Sequence, residues 1–382
     1  MNNIKNAIIH LSYFSKCILF VIGSMFLITS CANEQSSSNY RPPLGGAIGK
    51  TSEIVVIADD NVWEGPAGDT LRYYFGSAYL ILPQPESIFD LRHLTPAQLE
   101  NNYLLKELRT YIFLGNFSDE HSETNKIIKK TIGDEKVARA TTDPNFHTVV
   151  GQNKWARGQL LSFIFANSQD KLAENIKASY PTIAKRINDF DQPQIGNMVY
   201  VKGLNQGVQK VIKEKTGADM QIPQEYFVAL DEENTIWLRK ETSELSSNIF
   251  IHKLPYVSQD QFTKEGIKAI RNSLGEKYVR TEIEGAYMKT NDKNLPMFLT
   301  TMEINGNYAA ELRGIWDLKN DFMGGPFIGY LIHNKSTNEL LYLDAFIHAP
   351  TTTKRQYMQQ VEHILRKTKF GKVEEAAAVS EE

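Results

Sequence analysis

"FIGYLIHNKSTNELLYLDAFIH", residues Phe327 to His348, decides the fold. Its two ends are rich in aromatic and β-branched residues, and "NKSTN" between them is a cluster of turn formers, so the stretch predicts a hairpin of antiparallel strands. In the second strand Leu341, Leu343, Ala345 and Ile347 point one way, an aliphatic face suited to packing under helices. Tyr342, Asp344, Phe346 and His348 point the other way. Such a mixed aromatic and ionisable face either wets one side of an antiparallel sheet or lines a pocket. The preceding strand, Tyr308 to Leu318, sets Arg313 and Asp317 on one face and Leu312 and Trp316 on the other.

Outward from the hairpin, Tyr226 to Leu230, Thr235 to Arg239, Asn248 to Lys253 and Met297 to Glu303 read as further strands, with helices from Gln261 to Leu274 and from Thr353 to about Lys369. The first half alternates strand and helix instead. Ile54 to Ile57 is a strand, Asp60 or Asn61 caps a helix to Phe75, and Thr95-Pro96 opens another to about Leu108. Tyr111 to Leu114 is a strand, Ser118 to about Ile132 a helix, and strands follow around Phe146 to Val150 and Leu160 to Ala166. A long helical stretch from Asp170 to Lys215 is expected to break near Asp191-Gln192-Pro193. The expected fold is α+β: mainly antiparallel sheets with helices packed on one face, in two halves that are open to being related. The halves are residues 50–217 (α/β) and 218–371 (α+β), with 372–382 as an acidic tail.

The N-terminus sets the compartment. Residues 1–30 carry Lys5 and Lys16, no acid, and an apolar run from Ile18 to Ile28, the layout of a secretory signal. The run is shorter than the ~20 residues a membrane-spanning helix needs. Ile28-Thr29-Ser30 before Cys31 resembles a bacterial lipobox, which implies cleavage before Cys31 and acylation of that cysteine. Multiple acyl chains hold a protein at a membrane. Ala32 follows where inner-membrane lipoproteins usually carry Asp, so the outer membrane is the expected destination, on its periplasmic or its outer side. Residues 31–49 are rich in Ser, Asn, Pro and Gly and read as a flexible spacer.

Several function classes drop out. Of the 2 cysteines, Cys17 leaves with the signal and Cys31 is acylated, so no thiol remains for a disulfide, redox centre or metal site. Losing Lys5 and Lys16 lowers the 42 basic side chains to 40 against 45 acidic ones and moves the net charge from −3 to about −5, so no nucleic-acid partner is expected. "LGGAIGKTSEIVVI", Leu44 to Ile57, looks like a nucleotide-binding loop, but Leu44 stands where its first glycine belongs and the loop precedes a strand instead of following one. No nucleotide and no cofactor are expected. The histidines are scattered without metal-ligand spacing, and there is no Gly-x-Ser-x-Gly elbow. A paired-carboxylate glycosidase stays open, since its two acids can lie far apart in sequence.

The local strings "GKTSEIVVIADDNVWEGPAGDTLR", "LPQPESIFDL", "ADMQIPQEY", "EGAYM", "ELRGIWDL", "MGGPF" and "FIHAPTTTKRQYM", in order along nearly the whole mature chain, resemble a family of Bacteroidota lipoproteins, domain of unknown function 4837. The resemblance implies an envelope lipoprotein of a Gram-negative bacterium and brings no known activity or catalytic residue. "ELRT" before Tyr111 departs from the Arg-Asn pair expected there, so no role for such a pair carries over.

Three candidate sites follow. Thr352, Thr353, Lys354 and Arg355 fall at a helix N-terminus, where the dipole disfavours cations, so either a bound anion or a protein acid must compensate. With Asp344 and His348 they form a candidate anion or ligand site. Phe322, Met323, Gly324, Gly325 and Phe327 form an unusually apolar loop, a candidate partner lip or a segment buried against the other half. The glycines there predict a tight turn with unusual backbone angles. Asp59, Asp60, Glu64 and Asp69 could hold a hard cation, but acids at a helix start are favoured by dipole and capping alone, so no metal is assigned. The expected function is a non-catalytic envelope binding or assembly module, tethered through Cys31 and paired with an envelope protein. Its rival is a hydrolase or transferase acting on envelope glycans or phosphorylated molecules, centred on Asp344, His348 and Arg355.

Overall fold

A computed structural model of the chain describes residues 43–370. The signal segment, Cys31, most of the spacer and the acidic tail lie outside the described residues.

Strands β1 (Glu53–Ile57), β2 (Asp90–Leu94), β3 (Thr110–Asn116), β4 (Thr148–Gln152) and β5 (Leu160–Ala166) make a sheet in the order β2-β1-β3-β5-β4. Only the β4–β5 pair is antiparallel. Parallel neighbours need crossovers, supplied here by α1 (Asp60–Trp63), α2 (Pro66–Phe75), α3 (Pro96–Asn101), α4 (Glu123–Ile132) and α5 (Asp134–Thr142). Gly65-Pro66 splits the single helix expected before Phe75, because proline at the first helical position restarts the chain. At α3 the Thr95 hydroxyl accepts from the Gln98 N–H while the Gln98 side chain accepts from the Thr95 N–H, a complete capping box.

A 31-residue helix, α6 (Gln169–Val199), leaves β5 and runs uninterrupted through Pro181 and Pro193. The break expected at Pro193 falls instead between Tyr200 and Asn205. An internal proline costs about 3 kcal/mol, but Leu172, Ile176, Ile183, Ile187, Ile195 and Val199 make a buried stripe along the whole helix. Burial of that stripe overrides the local breaker.

Helix α7 (Gln206–Thr216) precedes β6 (Ala218–Asp219), β7 (Phe227–Glu232), β8 (Thr235–Glu241) and β9 (Ser246–Pro255). Helix α8 (Lys264–Tyr278), strands β10 (Tyr287–Asn291), β11 (Phe298–Ile304), β12 (Asn307–Lys319), β13 (Gly324–Asn334) and β14 (Glu339–His348), helix α9 (Arg355–Arg366) and β15 (Lys369–Phe370) complete the chain. The second sheet runs β10-β12-β13-β14-β9-β8-β7, all antiparallel, with β11 also on β12. The β13–β14 hairpin turns at Lys335 to Asn338, pairing Asn334 with Glu339 and Phe327 with Phe346. Asn338 takes the left-handed φ of 54° that such a turn requires.

The α+β class holds, with one mixed and one large antiparallel sheet beside a short antiparallel β6–β15 pair. Helices, however, cover both faces of each of the two large sheets and not one. Leu341, Leu343, Ala345 and Ile347 pack under α7, α9 and the end of α6, as the aliphatic face predicts. Tyr342 and Phe346 are equally buried, beneath Ile267 and Leu274 of α8 with Trp316 and Phe327. A strand whose two faces are both apolar enough to bury gathers a second layer. Val208 and Ile212 place α7 in this second core, although the sequence reading groups it with the first half.

The end of the spacer is also part of the fold. Gly46 bridges to Arg157 and Ile48 to Leu108, and the Ala47 and Ile48 N–H groups donate to the Arg157 and Glu107 carbonyls, each at 2.8 Å. Backbone hydrogen bonds at the sheet margin order these residues despite their linker-like composition.

Candidate functional site

The α9 N-terminus carries an anion, and that anion is the protein's own. The Glu86 carboxylate accepts from the Lys354 N–H at 2.7 Å and from the Arg355 N–H at 3.0 Å. The Arg355 guanidinium pairs with Asp90 at 2.6 Å and also donates to the Ser87 carbonyl at 2.5 Å. Lys354, only 3% exposed, donates from Nζ to Gln84 Oε1 at 2.6 Å and to the Thr352 carbonyl at 3.0 Å. The compensating charge is therefore an acid from the first half, which neutralises the dipole of α9 and ties the halves together.

Gln84, Glu86 and Ser87 come from one strap between α2 and β2, and Asp90 opens β2 directly after it. The same strap sends Ile81 and Leu82 into the second core and Tyr79 toward α9. Ile81 has φ of 79°, a left-handed conformation rare for a β-branched residue, held here by complete burial of its side chain.

Beside the α9 N-terminus a cleft of about 620 Å³ opens, with Lys50, Thr51, Glu86, Asp90, Gln194 and Arg355 among its lining. The Gly49-Lys50-Thr51 turn that resembles a phosphate loop forms one wall.

Asp344 and His348 do not join this cluster. Asp344 lies on the opposite sheet face, 1% exposed, with its carboxylate 3.2 Å from Nε of Arg271, which is 0% exposed. Arg271 also donates to Thr290 Oγ1 at 3.3 Å and stacks its guanidinium 3.8 Å from the Phe327 ring centre. Burial pushes the Asp344 carboxyl up, and the charge and hydrogen bond of Arg271 offset only part of that rise. His348 Nδ1 lies 3.1 Å from the Gly324 carbonyl. Neither the wetted face nor the pocket expected here is found: Tyr342, Asp344 and Phe346 lie in a sealed core.

The apolar loop divides. Phe322 is fully exposed and Met323 37% exposed, at the tip of the β12–β13 hairpin, while Phe327 is 0% exposed under Arg271. Gly324 and Gly325 lie within β13, pairing with Asp317 and Trp316, and take no left-handed angles; the turn residue with positive φ is Asn320 at 62°. Gly325 answers a different need. A Cβ there would sit 2.0 Å from the Ile347 carbonyl oxygen, the group to which the Trp316 indole donates at 3.3 Å.

The acids after β1 serve the fold. Asp59 accepts from the Ser122 hydroxyl at the α4 cap, and Asp69 pairs with Arg72 at 2.7 Å. No group of three or more potential metal ligands gathers among the described residues. Arg109 of "ELRT" pairs at 3.0 Å with Asp191, which also accepts the Ser52 N–H at 2.7 Å.

Sequence reasoning singled out Arg313 but missed what it meets. On the α9 face of the second sheet, Arg313 binds Glu311 at 2.5 Å and Glu362 at 2.7 Å, and Arg366 binds the same two acids at 3.0 Å and 2.9 Å. The Tyr330 hydroxyl donates to Glu311 at 2.7 Å, and Arg313 donates to the Tyr79 hydroxyl at 3.2 Å. Burial pushes Glu311 up, but Arg313, Tyr330 and Arg366 outweigh it and hold the carboxyl at about 2. The available signals were Glu311 and Arg313 two apart on a strand, and Glu362 and Arg366 four apart on a helix.

Residues 205–367 match the family model of DUF4837, a domain of unknown function. Residues 47–200 match a different model, DUF8532, also a domain of unknown function. The resemblance read along the whole mature chain thus divides in two, and the DUF4837 segment holds α7, the second sheet and α9. No curated protein is significantly similar to the chain. Two solved structures are similar over 40% of this chain and 90% of theirs: a mutant of the protein Mog1 at 13% identity with a TM-score of 0.28, and the Saccharomyces cerevisiae Ran-binding protein Mog1p at 11% identity with a TM-score of 0.27. Similarity that low carries no functional argument. The cleft takes its lining from both the DUF8532 and DUF4837 segments, and no helix among the described residues is long and apolar enough to cross a membrane.

Proposed function

We propose that the mature protein is an outer-membrane lipoprotein, acylated on Cys31, whose folded body is a non-catalytic binding or assembly module of the Gram-negative envelope. The observation that carries the non-catalytic reading is the dispersal of Asp344, His348 and Arg355: one is sealed against Arg271, one faces a backbone carbonyl, and one is paired with Asp90. A hydrolytic site needs its acid, base and cation to converge on one reacting atom, and here they serve separate parts of the fold. The targeting half of the reading rests on the lipobox-like Ile28 to Cys31 and on Ala32 after it.

In-cell crosslinking followed by purification of the full chain tests the module, with Cys31→Ala as the untethered control. One envelope protein recovered in near-equal amount, and reduced in the control, is the expected result. Turnover of an envelope glycan or phosphoester by the purified chain would replace it with the enzyme reading. Acyl labelling of the wild type but not of Cys31→Ala checks the tether separately.

A further inference from the structure

We propose that the surface formed at the N-terminal ends of β1, β3 and β5 docks on the lipid bilayer to which Cys31 tethers the chain. This deepens the lipoprotein reading and rests on it. The three strands are parallel, so the segments that lead into them meet at one end of the first sheet. Those segments are residues 45–50, the 3₁₀ turn Tyr103–Glu107 and residues 153–158. Backbone bonds join them into one surface: the Ile48 N–H donates to the Glu107 carbonyl at 2.8 Å, and the Arg157 N–H to the Gly45 carbonyl at 2.7 Å. The Gln159 amide donates to the Lys106 and Leu108 carbonyls at 2.6 Å and 2.7 Å.

This surface presents apolar side chains: Tyr103 is 69% exposed, Leu104 61% and Ile48 49%. Side chains three apart on a 3₁₀ turn lie one above the other, which sets Leu104 over Glu107 and so beside Ile48. Exposed apolar groups gathered on one face mark an interaction surface, and the chain itself indicates the partner. Gly45 follows Cys31 by 14 positions, so an acylated Cys31 holds this end of the sheet within about 50 Å of the bilayer even at full extension. A tether that short makes docking of the adjoining face an intramolecular event, for which a small patch suffices. Tyrosine suits the headgroup level, where its ring meets acyl chains and its hydroxyl meets water. Charge adds little, because Lys50 and Arg157 are set against Glu53 and Glu107, and Lys106 pairs with Glu100 at 2.7 Å. Docking therefore depends on apolar contact and not on anionic lipid.

The mature chain has no thiol but the acylated Cys31, so one introduced cysteine can carry a fluorophore alone. The test reconstitutes the protein purified from membranes into vesicles of phosphatidylethanolamine and phosphatidylglycerol that contain a lipid-borne quencher. The label is placed at Gln152→Cys, exposed at the docking end of β4, or at Glu120→Cys, exposed beyond the opposite end of β3. Quenching at 152 and not at 120 is expected, to the same degree in phosphatidylcholine vesicles. Tyr103→Ser with Leu104→Ser should lower the docked-to-undocked ratio about tenfold, and the quenching at 152 with it. Equal quenching at both labels overturns the inference. So does quenching at 152 that survives the double variant, since the tether alone then accounts for it. A label at 152 protected from iodide yet out of reach of the lipid quencher also overturns it, because a protein then covers the face. In each of these cases flotation of the wild type with the vesicles leaves the tether standing. A wild type that does not float, with Cys31 unacylated, overturns the lipoprotein reading and the docking together.

Discussion

Two carboxylates are buried on opposite faces of the second sheet, and they are treated in opposite ways. Asp344, under α8, has one cationic partner among the described residues, and burial raises its proton affinity. Glu311, under α9, receives two guanidinium groups and a tyrosine hydroxyl, and its carboxyl is held at about 2. Depth is similar, at 1% and 6% exposure, so the number of donors decides the sign. A lone pair in a dry core maintains a packing register at an electrostatic cost; a network at a layer boundary stabilises the charges it contains.

The sharpest way to break the contrast is Arg271→Ala. It strands Asp344 in the core and should cost about 3–5 kcal/mol of unfolding free energy in denaturant titration. The double replacement Arg271→Met with Asp344→Leu should recover most of that loss. A single variant that costs under about 1 kcal/mol would mean that the pair is not dry.

Next in size is the acid limb of stability. Glu311 has an ordinary value of 4.5 and a folded value of about 2, so its contribution is complete above pH 4.5 and disappears as pH falls toward 2. The shift corresponds to something on the order of 3 kcal/mol. Glu311→Gln should be less stable at neutral pH and show a flatter acid limb, and parallel limbs would refute the assignment. Asp344, shifted upward, has the opposite sign: its contribution is present at low pH and is lost as pH rises through its folded value.

Tyr330→Phe removes one neutral donor from Glu311. A loss of about 1 kcal/mol is expected, with a rise in the midpoint of the acid limb that a merely structural tyrosine would not produce. Smallest of all, Asp90→Asn weakens a pair whose acid is 58% exposed, and the change should stay within about 1 kcal/mol and shrink with added salt.

The fold was legible wherever local chemistry and burial agree. The Lys335–Asn338 turn, the Thr95 cap with Pro96 after it and the alternation of β14 each follow from neighbours a few residues apart. Pro193 was misread because α6 is held by contacts with two cores that no local window contains. Gly325 was misread as a turn glycine because its reason, the Ile347 carbonyl, belongs to another strand. The candidate site was half legible. Cations at a helix start announced that an anion was needed, but not that Glu86, 268 residues before Lys354, would supply it.

By itself, then, the sequence determined the α+β class, the position of the hairpin turn and the aliphatic face of β14, because period and turn chemistry are local properties. It determined equally that no thiol outside Cys17 and Cys31 exists. Only the tertiary structure decided what covers the other face of β14, which acid answers Arg355, and that Lys50 and Thr51 share a cleft with α9. Alternation names a face but not its cover, and partners far apart in sequence are chosen by packing of whole layers.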